Sequence, residues 1–318
     1  MDQLTSIDTS GGARRGAWLV AAGGLVLGTL GIFLHEAGQH PLTAVFFRCV
    51  FGALALLVFA AAFGRMAELR LSRRALGVAA LTGLLMTCMW GAFFAAIQWT
   101  SIALATVVFH LQPIWVLLAG VYLLGERLSL ARGLAVVLAL LGLALATGLA
   151  QLGAAKTGAV LGNEHFGLGV ALAALGSVCY AAVSLLAKQQ RVLSSLGLTF
   201  WQCVVGSLLL AWWPWFHDLP AQALQWNGAV WGWLIGLGVF HTGLAYALMY
   251  AGMQRLDAGR IAVLQFVYPI SAIVLDGVVF GRRLDTVQWG GVVLMGTALW
   301  FACRTQRSAV LLQVSSEP

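Results

Sequence analysis

Ten apolar runs, each about as long as a membrane-spanning helix, divide almost the whole of this 318-residue sequence. A helix needs about 20 mostly apolar residues to cross the hydrocarbon core of a bilayer. Only 9% of the residues are charged and the mean hydropathy is +0.91, whereas a soluble domain carries roughly 25% charged residues. The sequence therefore predicts an all-α integral membrane protein with ten transmembrane helices. They are predicted at 17–34, 41–63, 75–98, 101–124, 130–149, 165–187, 198–216, 228–251, 258–280 and 286–303.

The basic residues between these runs predict the orientation of the chain, because Lys and Arg are enriched in cytoplasmic loops. With a cytoplasmic N-terminus, 14 of the 18 basic residues fall in cytoplasmic segments, 3 fall in outer loops, and Arg48 lies within the second run. Both termini are therefore predicted to be cytoplasmic. The basic residues occur singly or in pairs, so the net charge of +7 does not indicate a nucleic-acid partner.

The two halves of the chain resemble each other. A shift of 156 residues places Pro113 on Pro269, and a shift of 154 places Arg48 on Gln202. Each half holds five predicted helices, and an odd number inserts the second half upside down relative to the first. Inverted repeats with interrupted helices are typical of secondary transporters. The predicted units are a cytoplasmic tail, a first five-helix repeat, an outer linker, a second five-helix repeat and a cytoplasmic tail, at 1–16, 17–149, 150–164, 165–303 and 304–318.

Two stretches carry a resemblance to a known family. They are PLTAVFFRCVFGALAL, in which a proline precedes Arg48, and SIALATVVFHLQPIWVLLAGVYLLGERLSLARGLAVVLALLGLALA, in which mid-helix Pro113 precedes G-E-R-L. The chain resembles the EamA-repeat type of the drug/metabolite transporter superfamily over residues 17–303, near the bacterial exporters of aromatic amino acids. The second repeat has Gly281-Arg282-Arg283 where the first has Glu126 and where the family often keeps an acid. A symmetric role for that acid at both ends is therefore not expected.

A layer of polar and aromatic residues at one depth predicts a central binding cavity. Unpaired polar groups cost several kcal/mol in lipid, so these side chains are expected to face inward. The candidate substrate-binding residues are Trp90, His110, Gln112, Tyr180, Trp201, Gln202, His241, Tyr246, Gln265 and Tyr268. Pro113 and Pro269 are expected to act as hinges, since proline interrupts a helix. The alternative is that the histidines only make interhelical hydrogen bonds and the aromatic residues only pack.

Three charged residues are candidates for a gate or an ion pair. Arg48 is predicted about 10 Å below the outer surface by helix rise, where its side chain can extend towards the interface. Asp276 lies at a similar depth in the ninth run, so an Arg48–Asp276 ion pair is one hypothesis and a structural role for Arg48 is another. Glu126 ends the fourth run on the inner side.

These observations favour a secondary transporter that exports small polar metabolites, with aromatic or neutral amino acids preferred by the resemblance. Alternating access through a cavity between the repeats is the expected mechanism. A lipid-headgroup translocator or channel-like permease is the alternative. An integral membrane enzyme is disfavoured, because the sequence has no G-x-S-x-G motif, no H-E-x-x-H motif and no paired intramembrane acids. The expected setting is the bacterial inner membrane, with a small-molecule substrate, a monomer or homodimer, and no cofactor or metal.

Overall fold

The computed structural model describes residues 2–126, 129–149, 164–217, 228–281 and 283–314, without the side chains of 2–10, 215, 217 and 303–314. In this part of the chain all regular structure is helical. The helices α1 to α15 are Asp2–Gly28, Leu30–Ala37, Pro41–Ala62, Arg73–Trp99, Ile102–Phe109, Gln112–Leu124, Leu130–Ala146, Phe166–Gln189, Ser195–Leu210, Trp213–His217, Gly228–Gly236, Ala245–Met253, Ala258–Leu264, Val267–Phe280 and Thr286–Val314. A 3-10 turn at Met66–Leu69 follows α3, and a π-helical stretch at Leu237–Leu244 joins α11 to α12.

Seven helical segments of the described residues are long and apolar enough to cross a membrane. They are Gly11–Ala37, Pro41–Ala62, Arg73–Trp99, Ile102–Leu124, Phe166–Gln189, Gly228–Met253 and Ala258–Phe280. Three shorter apolar helices, Leu130–Ala146, Ser195–Leu210 and Thr286–Ala302, occupy the other predicted positions. The apolar segments are therefore helical, whereas ten crossings and cytoplasmic termini remain predictions. The predicted linker, apart from its last residue, and residues 315–318 lie outside the described residues.

Several predicted helices are interrupted, and two of the interruptions coincide with the paired prolines. The fourth segment is divided into α5 and α6 just before Pro113, and the ninth into α13 and α14 just before Pro269. In both cases proline occupies the first turn of the new helix. Backbone N–H groups there have no intrahelical acceptor, so the missing N–H of proline costs no hydrogen bond. The prediction of paired breaks is confirmed. The break in the first segment at Thr29 and the π-helical stretch were not predicted.

The ends of the helices are set by residues with the expected chemistry. Ser72, Ser101 and Ser194 each accept a hydrogen bond from a backbone N–H three residues later, at 3.1 Å, and so cap α4, α5 and α9. At the other end, α6 stops at Gly125 and α14 at Gly281, both with φ of 64°. Glycine reaches this left-handed conformation without steric cost. Equivalent positions of the two halves therefore end their helices in the same way.

The helices of one half pack mainly on helices of the other. α4 packs on α8, and its counterpart α12 packs on α1. α3 packs on α9 and on the π-helical stretch, while α9 packs on α4. Exchanging the two halves turns each of these contacts into another contact of the same set. This symmetry supports two related units that share a common core.

The last helices of the two halves, α7 and α15, approach each other through glycine. A Cβ atom placed on Gly142 would lie 2.7 Å from the carbonyl oxygen of Gly291. Small residues permit this backbone contact between membrane helices. Residues of the two helices lie in one buried apolar cluster, and neither helix contributes a residue to the predicted substrate-binding set.

Candidate functional site

The two broken helices bring a histidine of the first half against a tyrosine of the second. His110 caps the end of α5, and Tyr268 lies in the first turn of α14. Their rings are nearly parallel, with centroids 6.0 Å apart and an interplanar angle of 20°. His110 is buried, and Tyr268 is partly buried and packs against the main apolar core. The paired breaks thus face each other in the middle of the bundle.

A hydrogen bond fixes the proton on the His110 ring. Nδ1 lies 2.7 Å from the carbonyl oxygen of Thr106, which can only accept. Nδ1 therefore carries the hydrogen in the neutral imidazole, and Nε2 presents a lone pair. A substrate group that donates a hydrogen bond has an acceptor here.

Four of the five tyrosines of the chain converge on the same region. Tyr180 and Tyr268 come from α8 and α14, and both lie close enough to Tyr246 to interact with it electrostatically. Tyr246 and Tyr250 lie one turn apart in α12, with ring centroids 5.8 Å apart. We call Arg48, Trp90, His110 and these four tyrosines the central cluster. Three of the tyrosines were predicted, and Tyr250 was missed although it follows Tyr246 by one helical turn.

Arg48 lies inside the central cluster and not at the outer interface. Its side chain is 1% exposed, its Nε donates to Thr242 Oγ1 at 2.8 Å, and its guanidinium carbon lies 4.5 Å from the centre of the Trp90 ring. Tyr246 lies close to both groups. The proposed extension to the interface is therefore wrong, because the guanidinium points into the bundle.

The Arg48–Asp276 ion pair is also wrong. Among the described residues, no ion pair involves Arg48, whose polar neighbours are Thr242 in the π-helical stretch and Tyr246 in α12. Asp276 is half-buried in α14, the second half of the broken ninth segment. Helix counting gave similar depths for the two residues but could not show which neighbour each one faces.

Three glutamine amides around the central cluster are buried, and each retains an unused polar atom. Gln202 Oε1 accepts from Tyr250 Oη at 2.8 Å, while Gln202 Nε2 has no partner. Gln265 Nε2 donates to Ser184 Oγ at 3.2 Å, while Gln265 Oε1 has no partner. Gln112 Nε2, at the start of α6, also lacks one. Buried polar atoms are usually paired, so these positions present two donors and one acceptor to a bound molecule.

Two predicted site residues serve other contacts. The indole Nε1 of Trp201 donates to the carbonyl oxygen of Leu69 at 2.9 Å, at the 3-10 turn between α3 and α4. His241 lies in the π-helical stretch, where its Nε2 is 2.7 Å from Thr29 Oγ1. The Thr29 hydroxyl also donates to Val26 O at 2.9 Å, so it accepts from the histidine. His241 thereby connects the break in the first segment to the eighth.

A second polar group, which we call the end cluster, joins the halves where α6 ends and α13 begins. Glu126 Oε1 accepts from Lys188 Nζ at 2.5 Å, and Oε2 accepts from the backbone N–H of Ala258 at 2.7 Å. Arg132 Nη1 lies 2.6 Å from Asp257 Oδ1. The sequence indicated Glu126 but not its partners, because they are more than 60 residues away along the chain.

The central cluster combines polar and aromatic groups of the kind that contact small molecules, but it lacks the usual parts of a catalytic centre. Within the described ranges, no group of three His, Cys, Asp or Glu side chains could hold a metal ion. The available chemistry is one cation, amide and imidazole hydrogen-bonding atoms, and aromatic faces. These groups come from both halves of the chain.

Comparison with known proteins gives a consistent result. The model of the EamA-like transporter family matches twice, at residues 14–148 and 167–304. A Bacillus subtilis (strain 168) protein described as uncharacterized transporter YxxF is 29% identical over 289 residues, covering 90% of this chain and 89% of its own. An uncharacterized transporter of Archaeoglobus fulgidus is also 29% identical over 289 residues, covering 90% and 96%.

A protein of known crystal structure shares the fold. It superposes with a TM-score of 0.77 at 19% identity, over 91% of this chain and 98% of that chain. The family model covers both halves and leaves out little more than the tails and the linker. The chain therefore belongs to the EamA-like transporter family of the drug/metabolite transporter superfamily and is a multi-pass membrane transporter, not an enzyme.

Proposed function

We propose that this protein exports small polar metabolites from the bacterial cytoplasm, and that amino acids with neutral or aromatic side chains are its substrates. The observation that carries this proposal is the central cluster. Side chains from α3, α4, α8, α12 and α14 meet there, with His110 stacked 6.0 Å from Tyr268 across the two halves. Binding sites of secondary transporters lie between repeats, beside broken helices.

The chemistry of the cluster fits an amino acid with an apolar side chain. Tyrosine and tryptophan faces accept apolar groups and cations. His110 Nε2 and Gln265 Oε1 supply acceptors for an ammonium group. Gln112 Nε2 and Gln202 Nε2 supply donors for oxygen atoms.

Alternating access is the proposed mechanism, with Pro113 and Pro269 as hinges. The second half of the fourth segment, α6, packs on the first half of the ninth, α13, and the end cluster ties them together. The remaining halves, α5 and α14, do not pack against each other to a comparable extent. The predicted topology places α6 and α13 at the cytoplasmic end of the bundle. Their packing therefore corresponds to a conformer that is closed at that end. Bending at the breaks would open that end and close the other.

A lipid-headgroup translocator is the alternative, and one surface feature bears on it. A groove of about 500 Å³ runs between α3 and the α11–π segment. Apolar side chains line it: Phe51, Leu54, Ala55, Val58, Phe59, Ala62, Phe63, Ile235 and Val239. An acyl chain would fit this lining, but a polar headgroup would find no partner among these residues. A groove open to lipid is the feature expected of a lipid translocator, so it supports this alternative. The polar groups that favour a metabolite carrier lie elsewhere, in the central cluster.

Counterflow tests the proposal directly. Proteoliposomes loaded with one unlabelled compound take up the same labelled compound only if the protein carries it in both directions. We expect accumulation of labelled phenylalanine or leucine and none of labelled glucose or choline, compared with protein-free liposomes. Accumulation of sugars or cations alone, or movement of labelled lipid between leaflets without amino-acid uptake, would contradict the proposal.

A further inference from the structure

The buried cation of Arg48 has no anionic partner within the part of the chain that the structure describes. None of the ion pairs in these residues involves it. Its side chain is 1% exposed, so bulk water does not screen its charge. A buried charge without a counter-charge is strongly unfavourable. An intramembrane ion of this kind is by default a functional residue.

The contacts around Arg48 orient the guanidinium without using all of it. Thr242 Oγ1 accepts from Arg48 Nε at 2.8 Å and itself donates to Leu237 O at 3.1 Å. The Trp90 ring covers one face of the guanidinium at 4.5 Å. Arg48 Nη2 is buried and has no hydrogen-bond acceptor. Thr242 lies in the π-helical stretch, and such stretches are frequently found at functional sites.

Gln202, the residue equivalent to Arg48 in the second half, also has a buried hydrogen-bond donor without an acceptor. Gln202 is held by Tyr250, and its Nε2 is buried without an acceptor. Tyr246 links the two positions, because it lies close to Arg48 and stacks on Tyr250 at 5.8 Å. Both halves thus contribute a donor without an acceptor to one region of the bundle.

We propose that Arg48 is the binding site for the carboxylate of the transported molecule, which makes the substrate a small monocarboxylate. This inference rests on the proposed function and narrows it. A guanidinium N–H group makes a charge-assisted hydrogen bond to a carboxylate oxygen, and Arg48 Nη2 is a buried donor without an acceptor. One cation matches one carboxylate. A phosphate dianion would need a second positive group, and Lys188 and Arg132 are already paired in the end cluster.

The test compares molecules that differ only in the carboxylate. Purified full-length protein in detergent is unfolded thermally with phenylalanine, phenylalaninamide, 3-phenylpropionate or 3-phenylpropionamide. A ligand that binds only the folded state raises the unfolding temperature. We expect both carboxylates to raise it and both amides to require about ten- to hundredfold higher concentrations, because a charged hydrogen bond is lost.

The Arg48→Gln variant should remove this preference. Arg191→Gln is the matched control, since it deletes the same charge from an exposed position. We expect the control to behave as the natural protein. If Arg48→Gln does not fold, Arg48→Lys keeps the charge without the planar fork. It should retain the preference for carboxylates at weaker affinity.

The outcomes separate this inference from the proposed function. Amino-acid counterflow with equal competition by the acid and its amide would overturn the inference and leave the proposed function standing. The inference would also be overturned if the natural protein and Arg48→Gln preferred carboxylates equally. It would be overturned as well if neither carboxylate changed the unfolding temperature of the natural protein. Failure of counterflow for every amino acid, with thermal stabilisation by 3-phenylpropionate that needs Arg48, would refute the amino-acid assignment and retain the carboxylate site.

Discussion

Replacing Glu126 by glutamine should weaken the closure of the bundle at the end cluster. The carboxylate accepts from Lys188 Nζ at 2.5 Å and from Ala258 N at 2.7 Å. The glutamine amide keeps one acceptor oxygen but turns an NH₂ group towards the other donor. One of the two hydrogen bonds is then lost, together with the negative charge. Both lost interactions join the first half of the chain to the second.

The size of the effect follows from the chemistry and the exposure of the pair. A hydrogen bond to a charged group contributes about 1.5–3 kcal/mol. The Lys188 and Glu126 side chains are 17% and 23% exposed, so solvent screens part of this interaction. We expect a loss of about 1–2 kcal/mol, which corresponds to roughly a 5- to 30-fold change in the ratio of closed to open conformers.

Spin labels can measure that ratio. Leu123 is exposed near the end of α6, and Arg255 is exposed just before α13. Cysteines at these two positions, in a background without the native cysteines, place labels across the end cluster. The distance distribution in Glu126→Gln should gain a longer component that is weak or missing with Glu126 present.

Glu36→Gln is the matched control, because Glu36 is exposed and forms its ion pair with its sequence neighbour His35. The control should leave the distance distribution unchanged. An unchanged distribution in Glu126→Gln, or the same change in both variants, would refute the role of the end cluster as a gate. Thermal unfolding of the same samples distinguishes opening from general loss of stability.

Three further predictions concern topology, binding and bending. A cysteine at Ser72 should resist an impermeant reagent on intact cells while one at Gln222, outside the described residues, reacts; the reverse pattern would invert the topology. His110→Ala and Tyr268→Ala should abolish counterflow or reduce it at least tenfold, because each removes a stacked partner. Normal transport at equal protein levels would place the binding site elsewhere. Pro113→Ala should slow exchange more than it weakens substrate binding, and the opposite result would contradict the hinge.

The sequence predicted the features that are local in the chain. Apolar runs predict helices because burial in lipid depends on residue type within about 20 positions. Pro113 and Pro269 predict breaks because proline acts on its own helix. The matching of the two halves placed both breaks together, and the structure shows His110 and Tyr268 in contact there.

The features that the sequence did not predict depend on the direction in which a side chain points. Helix rise gave Arg48 a depth but not a face, so its contact with Trp90 could not be foreseen. The π-helical stretch adds one residue to a turn and changes which residues after it face the core. No local pattern marks such a stretch. Tryptophan is a residue type common in binding sites, yet the indole N–H of Trp201 donates to the carbonyl oxygen of Leu69.

If the protein exports as we propose, the end cluster would also set the substrate concentration at which export begins. With the cytoplasmic orientation we propose, Glu126 and its partners hold the empty protein shut on the side where the cargo is collected. A binding-competent state that is rarely populated lowers the apparent affinity by its own fraction. Loading from the cytoplasm would then require a higher concentration than intrinsic affinity suggests. Scarce metabolites would stay in the cell, and only a surplus would leave it.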